Sequence, residues 1–290
     1  MSMEIGWDKI RVLVTNGCNY RCPFCHNEGQ EKGNVTFMSV DDFKNIVDLL
    51  SETSISEFVI SGGEPFLHPQ IADMILYACN KLSCDISCAT NLSLITDADL
   101  AKLANTRVKF NIQFPFTDSI MFKESTGNGD LSSISSNIKH VCKAGLEIGL
   151  NTVIQSSDRA MVEDMVLYAI SNHLPLKLLP QIGGENSDEY KNWVFPIIRK
   201  YATSEKNKGT GAIRWEISSG DKNTTVLYID SPCFTRDIST CRNFAELRIH
   251  PGMYLQPCIE KLPSNQLDFS KGKSVVSTQL LQEWNNFKKC

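Results

Sequence analysis

Three cysteines, Cys18, Cys22 and Cys25, stand in a CxxxCxxC spacing just past the first apolar run of the chain. Cysteine thiolates are the usual ligands of a [4Fe–4S] cube, because soft sulfur suits iron–sulfur centres. Three ligands on a tight loop leave one iron of such a cube without a protein ligand. An open coordination position of that kind lets a small molecule chelate the metal and separates catalytic from structural sites. A zinc site, or buried cysteines without a metal, are the other readings of the loop; zinc loops more often use two CxxC pairs. The adjacent His26 is the nearest further ligand type, and a histidine so placed usually points elsewhere.

The rest of the composition narrows the field. The 290 residues include eleven cysteines, and the N-terminus, Met1 to Lys9, lacks the charged-then-apolar pattern of a secretory signal. That many cysteines without an export signal suit metal or redox chemistry better than a disulfide framework, and the expected location is cytoplasmic. No stretch approaches the length of a membrane span, so no membrane partner is expected. The formal charge of −4 and the absence of a basic run argue against nucleic acid as a partner. With 42% hydrophobic and 21% charged residues, the chain can bury a large core and is not a disordered segment.

The elements that position the cysteines repeat one unit. Ile10 to Thr15 reads as a strand, and Ser39 opens a helix with Asp42 at the third position of a capping box. Glu57 to Ser61 is the next strand. Helix Gln70 to Lys81 leads to strand Asp85 to Ala89, and helix Asp97 to Ala104 to strand Val108 to Phe114. Helix Ser132 to Ala144 stops at Gly145, and strands Ile148 to Ile154 and Leu176 to Leu179 flank helix Met161 to Ser171. Such an alternation implies an α/β fold with a parallel sheet, because helical crossovers join parallel strands. The predicted architecture is a partial (β/α)6 TIM-like barrel over residues 1–185. After about Gln181 the pattern breaks, with Gly183-Gly184-Glu185-Asn186 as linker and a helix near Tyr190 to Thr203. Residues 186–290 are expected to form a small C-terminal unit, with a hairpin at His250-Pro251-Gly252-Met253.

The second strand ends in Gly62-Gly63-Glu64-Pro65. Together, the cysteine spacing, its place after the first strand, Phe24 before the third cysteine and this glycine pair resemble the radical S-adenosylmethionine (radical SAM) superfamily. The resemblance implies that Cys18, Cys22 and Cys25 hold a [4Fe–4S] cluster whose open iron binds the amino and carboxylate groups of S-adenosylmethionine. It implies cofactor contacts from Gly62, Gly63 and Glu64, with Phe24 beside them. Thr90, Asn91 and Gln113 lie where the family often has polar groups for the ribose and methionine portions, and Val153 where an apolar residue walls the adenine. The physics agrees: active sites of such barrels gather at the C-terminal ends of the strands, where both motifs sit.

Cys233, Cys241 and Cys258 form a second group, and the segment from Cys241 to Cys258 resembles the MoaA-like and twitch or SPASM extensions. There a hairpin separates cysteines that bind an auxiliary [4Fe–4S] cluster, which makes the C-terminal unit twitch-like. Cys290 is a candidate fourth ligand or a free terminal thiol. Arg248 matches an arginine that faces the nucleotide in MoaA, which implies an anionic substrate. Two departures weaken a GTP-cyclising assignment: Cys233 and Cys241 are widely spaced, and the chain ends in Cys290 rather than a glycine pair. Cys79, Cys84, Cys88 and Cys142 read as small core residues.

These readings converge on an enzyme that reductively cleaves S-adenosylmethionine to a 5′-deoxyadenosyl radical and removes a hydrogen atom from a substrate, modifying either a peptide or a small molecule. The resemblance also implies an external electron donor such as flavodoxin or ferredoxin. MoaA-type GTP 3′,8-cyclisation is the alternative, and an iron–sulfur electron carrier or redox sensor is the alternative of another class. A carrier would not need Gly62-Gly63-Glu64.

Overall fold

The computed structural model describes residues 3–25, 34–155, 158–208, 211–235 and 237–287. His26 and Cys290, both weighed as ligands, lie outside the described residues.

The first strand, β1 (Lys9–Leu13), shows why a barrel forms. Ile10 and Val12 are fully buried under helices, while Lys9 and Arg11 face the other way, into the barrel. Helix α1 (Val40–Leu50) follows, capped by Ser39, whose hydroxyl accepts the N–H of Asp42 at 3.0 Å. Its buried stripe of Phe43, Ile46, Val47 and Leu50 packs in the core with Phe58 and Ile60 of β2 (Glu57–Ser61). The units continue through α2 (Ile71–Lys81), β3 (Asp85–Thr90), α3 (Asp97–Leu103) and β4 (Lys109–Gln113). An additional helix, α4 (Ser119–Thr126), precedes α5 (Leu131–Lys143), β5 (Glu147–Ile154), α6 (Arg159–Ser171) and β6 (Leu176–Pro180).

Beyond the barrel units come α7 (Lys191–Arg199), β7 (Ala202–Asn207), β8 (Ala212–Ser219) and β9 (Lys222–Ile229). The expected helix from Tyr190 to Thr203 therefore ends early. Residues from Ala202 onward pair as an edge strand with β8, and every residue of β7 after Thr203 is exposed. The chain closes with α8 (Pro232–Thr235), α9 (Ile238–Phe244), β10 (Glu246–Ile249), β11 (Tyr254–Gln256), β12 (Ser264–Gln266) and α10 (Lys273–Asn286). The turn at His250 to Met253 joins β10 and β11 as an antiparallel pair, as its residues predict.

All strands of the described residues belong to one sheet in the order β12-β11-β10-β1-β2-β3-β4-β5-β6-β9-β8-β7. From β10 through β1–β6 to β9 every neighbouring pair is parallel. The six expected barrel strands are thus extended at both edges by strands from residues 186–290: β9 continues β6, and β10 continues β1. Residues on the far side of the expected boundary build the barrel wall rather than a separate sheet. Among the described residues, no helix is long and apolar enough to cross a membrane. Cys88 is buried and Cys79 and Cys84 are half-buried, whereas Cys142, expected in the core, is exposed on α5.

Candidate active site

Cys18, Cys22 and Cys25 lie on the loop that leaves β1, and backbone pairing fixes the base of that loop. Thr15 bridges Phe37, the N–H of Met38 donates to Val14 O at 2.8 Å, and Asn16 Oδ1 accepts the N–H of Thr36 at 2.7 Å. Farther along, the N–H of Arg21 donates to Thr126 O at the end of α4 at 2.8 Å. The helix missing from the sequence reading is thus a rest for the cysteine loop.

The glycine pair is locked to the same stretch. Gly63 N–H donates to Thr15 O at 2.9 Å and Glu64 N–H to Gly17 O at 2.8 Å. Gly62 has φ 154°, and a Cβ there would stand 2.7 Å from Thr15 O. Only glycine allows the ends of β1 and β2 to approach this closely.

Glu64 is completely buried behind the glycines and does not line the cavity. Its carboxylate accepts from Thr90 Oγ1 at 2.7 Å, Asn91 N at 2.7 Å and Phe66 N at 3.0 Å. Burial pushes its pKa up, and the three donors oppose that shift. The side chain read as a cofactor contact therefore ties the β2 and β3 loops together. Asn91 Nδ2 extends the tie to Asn19 Oδ1 at 2.8 Å, beside Cys18. The following Leu92 is buried at φ 63°, a left-handed conformation that a bulky residue keeps only when its surroundings enforce it. Here Thr90 Oγ1 accepts its N–H and Asn137 Nδ2 donates to its carbonyl, both at 2.9 Å.

These loops enclose one cavity of about 400 Å³, within the range of small-molecule sites. Cys18, Cys22, Phe24, Cys25, Gly62, Gly63, Thr90, Asn91, Gln113, Val153 and Arg248 all line it. Strand residues from both edges of the parallel run, Ile229 of β9 and Arg248 of β10, face the same space, so the sheet curls around it.

The lining residues fit a cluster and a nucleoside-bearing cofactor. Burial raises the Cys18 thiol to about 11, helped by the charges of Glu64 and Cys25. Burial together with Cys18 and Cys25 raises Cys22 to about 12. Three soft donors that repel one another as thiolates suit a cationic iron–sulfur group, which would reverse that balance. Among the described residues, no three potential ligands are drawn into a ready-made metal cage. For the cofactor, Gln113 and Asn151 are register partners on β4 and β5, and Gln113 Nε2 and Asn151 Oδ1 are buried without hydrogen-bond partners. An unmet donor beside an unmet acceptor suits a ligand with hydroxyl groups.

Sequence reasoning missed Arg11, Asn111 and Asn151, all of which line the cavity. Each is a polar residue in the interior of its strand (KIRVL, KFNIQ and EIGLNTVI), a place where asparagine in particular is depleted. That exception was the readable signal.

Two cysteines of the second group, Cys233 and Cys258, lie close by. Cys233 is on α8, Cys241 on α9 and Cys258 follows β11; Ser231 and Ile259, near Cys233 and Cys258, line the cavity. Burial pushes the Cys233 thiol up, and the charges of Glu260 and Cys258 add to the shift.

A family model of the radical SAM superfamily matches residues 12–169, more than half of the chain. The chain belongs to the radical SAM superfamily. Membership implies a [4Fe–4S] cluster and S-adenosylmethionine. A Methanococcus maripaludis protein named "Probable GTP 3',8-cyclase" is 30% identical over 138 residues, covering 47% of this chain and 46% of that protein. A Methanocaldococcus jannaschii protein of the same name is 28% identical over 255 residues, covering 86% and 84%. The chain spans about half the length of the first curated relatives it matches. Among solved structures, Streptococcus suis SuiB bound to S-adenosylmethionine superposes with TM-score 0.69 at 16% identity, covering 89% of this chain and 63% of that one. Native anSMEcpe with bound AdoMet gives 0.64 at 13% identity, covering 95% and 82%. At these identities the likeness is one of radical SAM fold.

Proposed function

We propose that the chain reductively cleaves S-adenosylmethionine in this cavity and uses the 5′-deoxyadenosyl radical to remove a hydrogen atom from a peptide or small-molecule substrate. The observation that carries the reading is the meeting of Cys18, Cys22 and Cys25 with Gly62 and Gly63 on one cavity wall at the C-terminal ends of the strands. When bound, the cluster supplies one electron to the sulfonium, which breaks a carbon–sulfur bond to give methionine and the radical. The chain's own part is to hold and to exclude. The three thiolates would hold the cluster, and Gly62 and Gly63 leave room for a ligand against bare backbone. Gln113 and Asn151 offer the hydrogen bonds they lack, and Val153, Leu179 and Ile229 keep the wall apolar, so the radical meets substrate rather than water.

The electron comes, in this reading, from an external flavodoxin or ferredoxin. Cys233, Cys241 and Cys258 are proposed as ligands of an auxiliary [4Fe–4S] cluster beside the cavity, with residues 186–290 supplying that site; Cys290 remains a candidate fourth ligand.

Iron, sulfide and product test the reading together. Anaerobically reconstituted chain should carry about eight irons, falling to about four when Cys18, Cys22 and Cys25 are all replaced by alanine. With dithionite and S-adenosylmethionine, wild type should form 5′-deoxyadenosine; none would refute the reading. About four irons falling to none would remove the auxiliary cluster alone.

The names of the archaeal relatives favour a second reading, GTP 3′,8-cyclisation. GTP-dependent consumption of S-adenosylmethionine with a cyclised nucleotide product would decide for it.

A further inference from the structure

Beside Cys18 three polar side chains close a ring. Asn19 Nδ2 donates to Ser93 Oγ at 2.8 Å, Ser93 Oγ to Asn91 Oδ1 at 2.6 Å, and Asn91 Nδ2 to Asn19 Oδ1 at 2.8 Å. One backbone group fixes every direction in it. The N–H of Ser93 donates to Asn91 Oδ1 at 2.9 Å, so that atom is the amide oxygen and the Asn91 NH2 faces Asn19. Asn19 must then present its own oxygen to Asn91, which leaves its NH2 for Ser93. The Ser93 hydroxyl accepts there and spends its single proton on Asn91 Oδ1. Bonds linked in such a circuit polarise and strengthen one another.

The ring joins two segments far apart in sequence. Asn19 directly follows Cys18, whereas Asn91 and Ser93 follow β3. On the β3 side the anchor is firm: Glu64 accepts the N–H of Asn91, and Thr90 and Asn137 lock the intervening Leu92 in its left-handed conformation. On the loop side the ring bears on sulfur. The N–H of Tyr20 donates to Cys18 Sγ at 3.4 Å. Burial raises the Cys18 thiol, and the N–H groups of Tyr20 and Asn19 oppose it. Those two N–H groups flank the Cα of Asn19, so holding the Asn19 side chain holds both donors. Hydrogen bonds to the sulfurs of an iron–sulfur cluster are among the factors that set its potential, because they stabilise the reduced, more negative form.

We infer that Ser93 is a positioning residue for the cluster: through Asn91 and Asn19 it keeps two backbone N–H groups on the Cys18 sulfur and so holds up the cluster's reduction potential. Ser93 does not line the cavity, so it acts only through its partners. The inference rests on the proposed radical SAM reading, in which Cys18 carries one iron of the cluster.

The reduction midpoint of the anaerobically reconstituted chain tests it. Dithionite is the reductant, and the electron paramagnetic resonance signal that responds to S-adenosylmethionine marks the cluster on Cys18. Ser93→Ala takes the acceptor from Asn19 Nδ2, and its midpoint should move to more negative potential by about tenfold in the one-electron equilibrium, or about 59 mV. Ser93→Thr keeps the hydroxyl and should restore the wild-type midpoint. Asn19→Ala cuts the ring from the loop side, should shift the midpoint in the same direction, and serves where Ser93→Ala takes up no iron. A midpoint at or above that of wild type in either alanine variant would overturn the inference. So would equal shifts in Ser93→Ala and Ser93→Thr, which would assign the effect to packing rather than to the hydroxyl. Failure of the cofactor reading is seen separately, since wild type would then show no signal that responds to S-adenosylmethionine and would form no 5′-deoxyadenosine.

Discussion

The carboxylate of Glu64 accepts the backbone N–H of Asn91 at 2.7 Å, across the gap between the β2 and β3 loops. Both loops line the cavity, but this bond lies outside it. Replacing Glu64 by glutamine puts an amide NH2 against at least one donor that now finds an oxygen. Glu64→Gln is expected to lose about 2 kcal/mol of stability, on the scale of one unsatisfied buried group, and to bind S-adenosylmethionine more weakly. Denaturant unfolding and equilibrium dialysis of labelled cofactor would measure the two effects. A variant with full stability and full affinity would show that the tie is dispensable.

Gly62→Ala attacks the neighbouring contact. The new Cβ meets Thr15 O at 2.7 Å in a backbone conformation that side chains rarely adopt. The strain is of order 1–3 kcal/mol and falls on the strand end that leads into the cysteine loop. Iron per chain after reconstitution should drop along with stability. Iron loading equal to wild type would mean that β1 and β2 can part without disturbing the cysteines.

Glu246 gives a pH dependence of known sign. Burial opposes its ionisation, but Arg11 and Arg248 outweigh burial and hold its carboxyl at about 2, against 4.5 ordinarily. A folded-state pKa below the unfolded value contributes stability that is complete above about 4.5 and is lost as pH falls from there toward about 2. Glu246→Gln should therefore be less stable at neutral pH, and its stability should fall less steeply over that acid window. Parallel slopes for the two proteins in chemical denaturation at stepped pH would contradict the pairing.

The aromatic group at the C-terminal end offers a test of packing. Trp284 on α10 lies edge-on to Trp7 with ring centres 5.0 Å apart, and the Arg242 guanidinium sits 5.0 Å from its ring centre. Gly6 is kept clear for it, since a Cβ there would stand 2.3 Å from Trp284 Cδ1. Trp284→Ala should cost about 3 kcal/mol, the scale of a large core truncation. A shift in the denaturation midpoint without a change in slope would mark the loss as one of packing.

The sequence disclosed the parts of this molecule whose cause is local. Strand β2 was read with its observed ends, and α1 was capped where Ser39 said it would be, because alternation and capping act over a few residues. Helix α4 was missed: it has eight residues and a weak apolar face, and its role is tertiary, as a rest for Arg21. The hairpin of β8 and β9 was missed although Trp215 and Ile217, two apart, mark its buried side. Glu64 is the more instructive case. Its motif was plain, yet whether its side chain faces the cavity or its back wall depends on Thr90 and Asn91, which come together with it only in the fold. Nothing near Glu246 announces that Arg11 will be its partner.

That last pairing also sets an order of events. Strand β1 is made before β2 to β9, and its partner β10 only after them. Until Glu246 to Ile249 is made, the growing chain presents the outer edge of β1 as an open strand edge, the kind of surface that invites pairing with another chain. The cysteine loop, made before β10, hangs from that edge. A chain cut short before β10 would thus keep all three thiols and all six central strands while lacking the wall beside Arg11. Iron delivered to a nascent chain would meet thiols on a half-built vessel, so the finished protein, rather than the emerging one, is the form suited to receive the cluster.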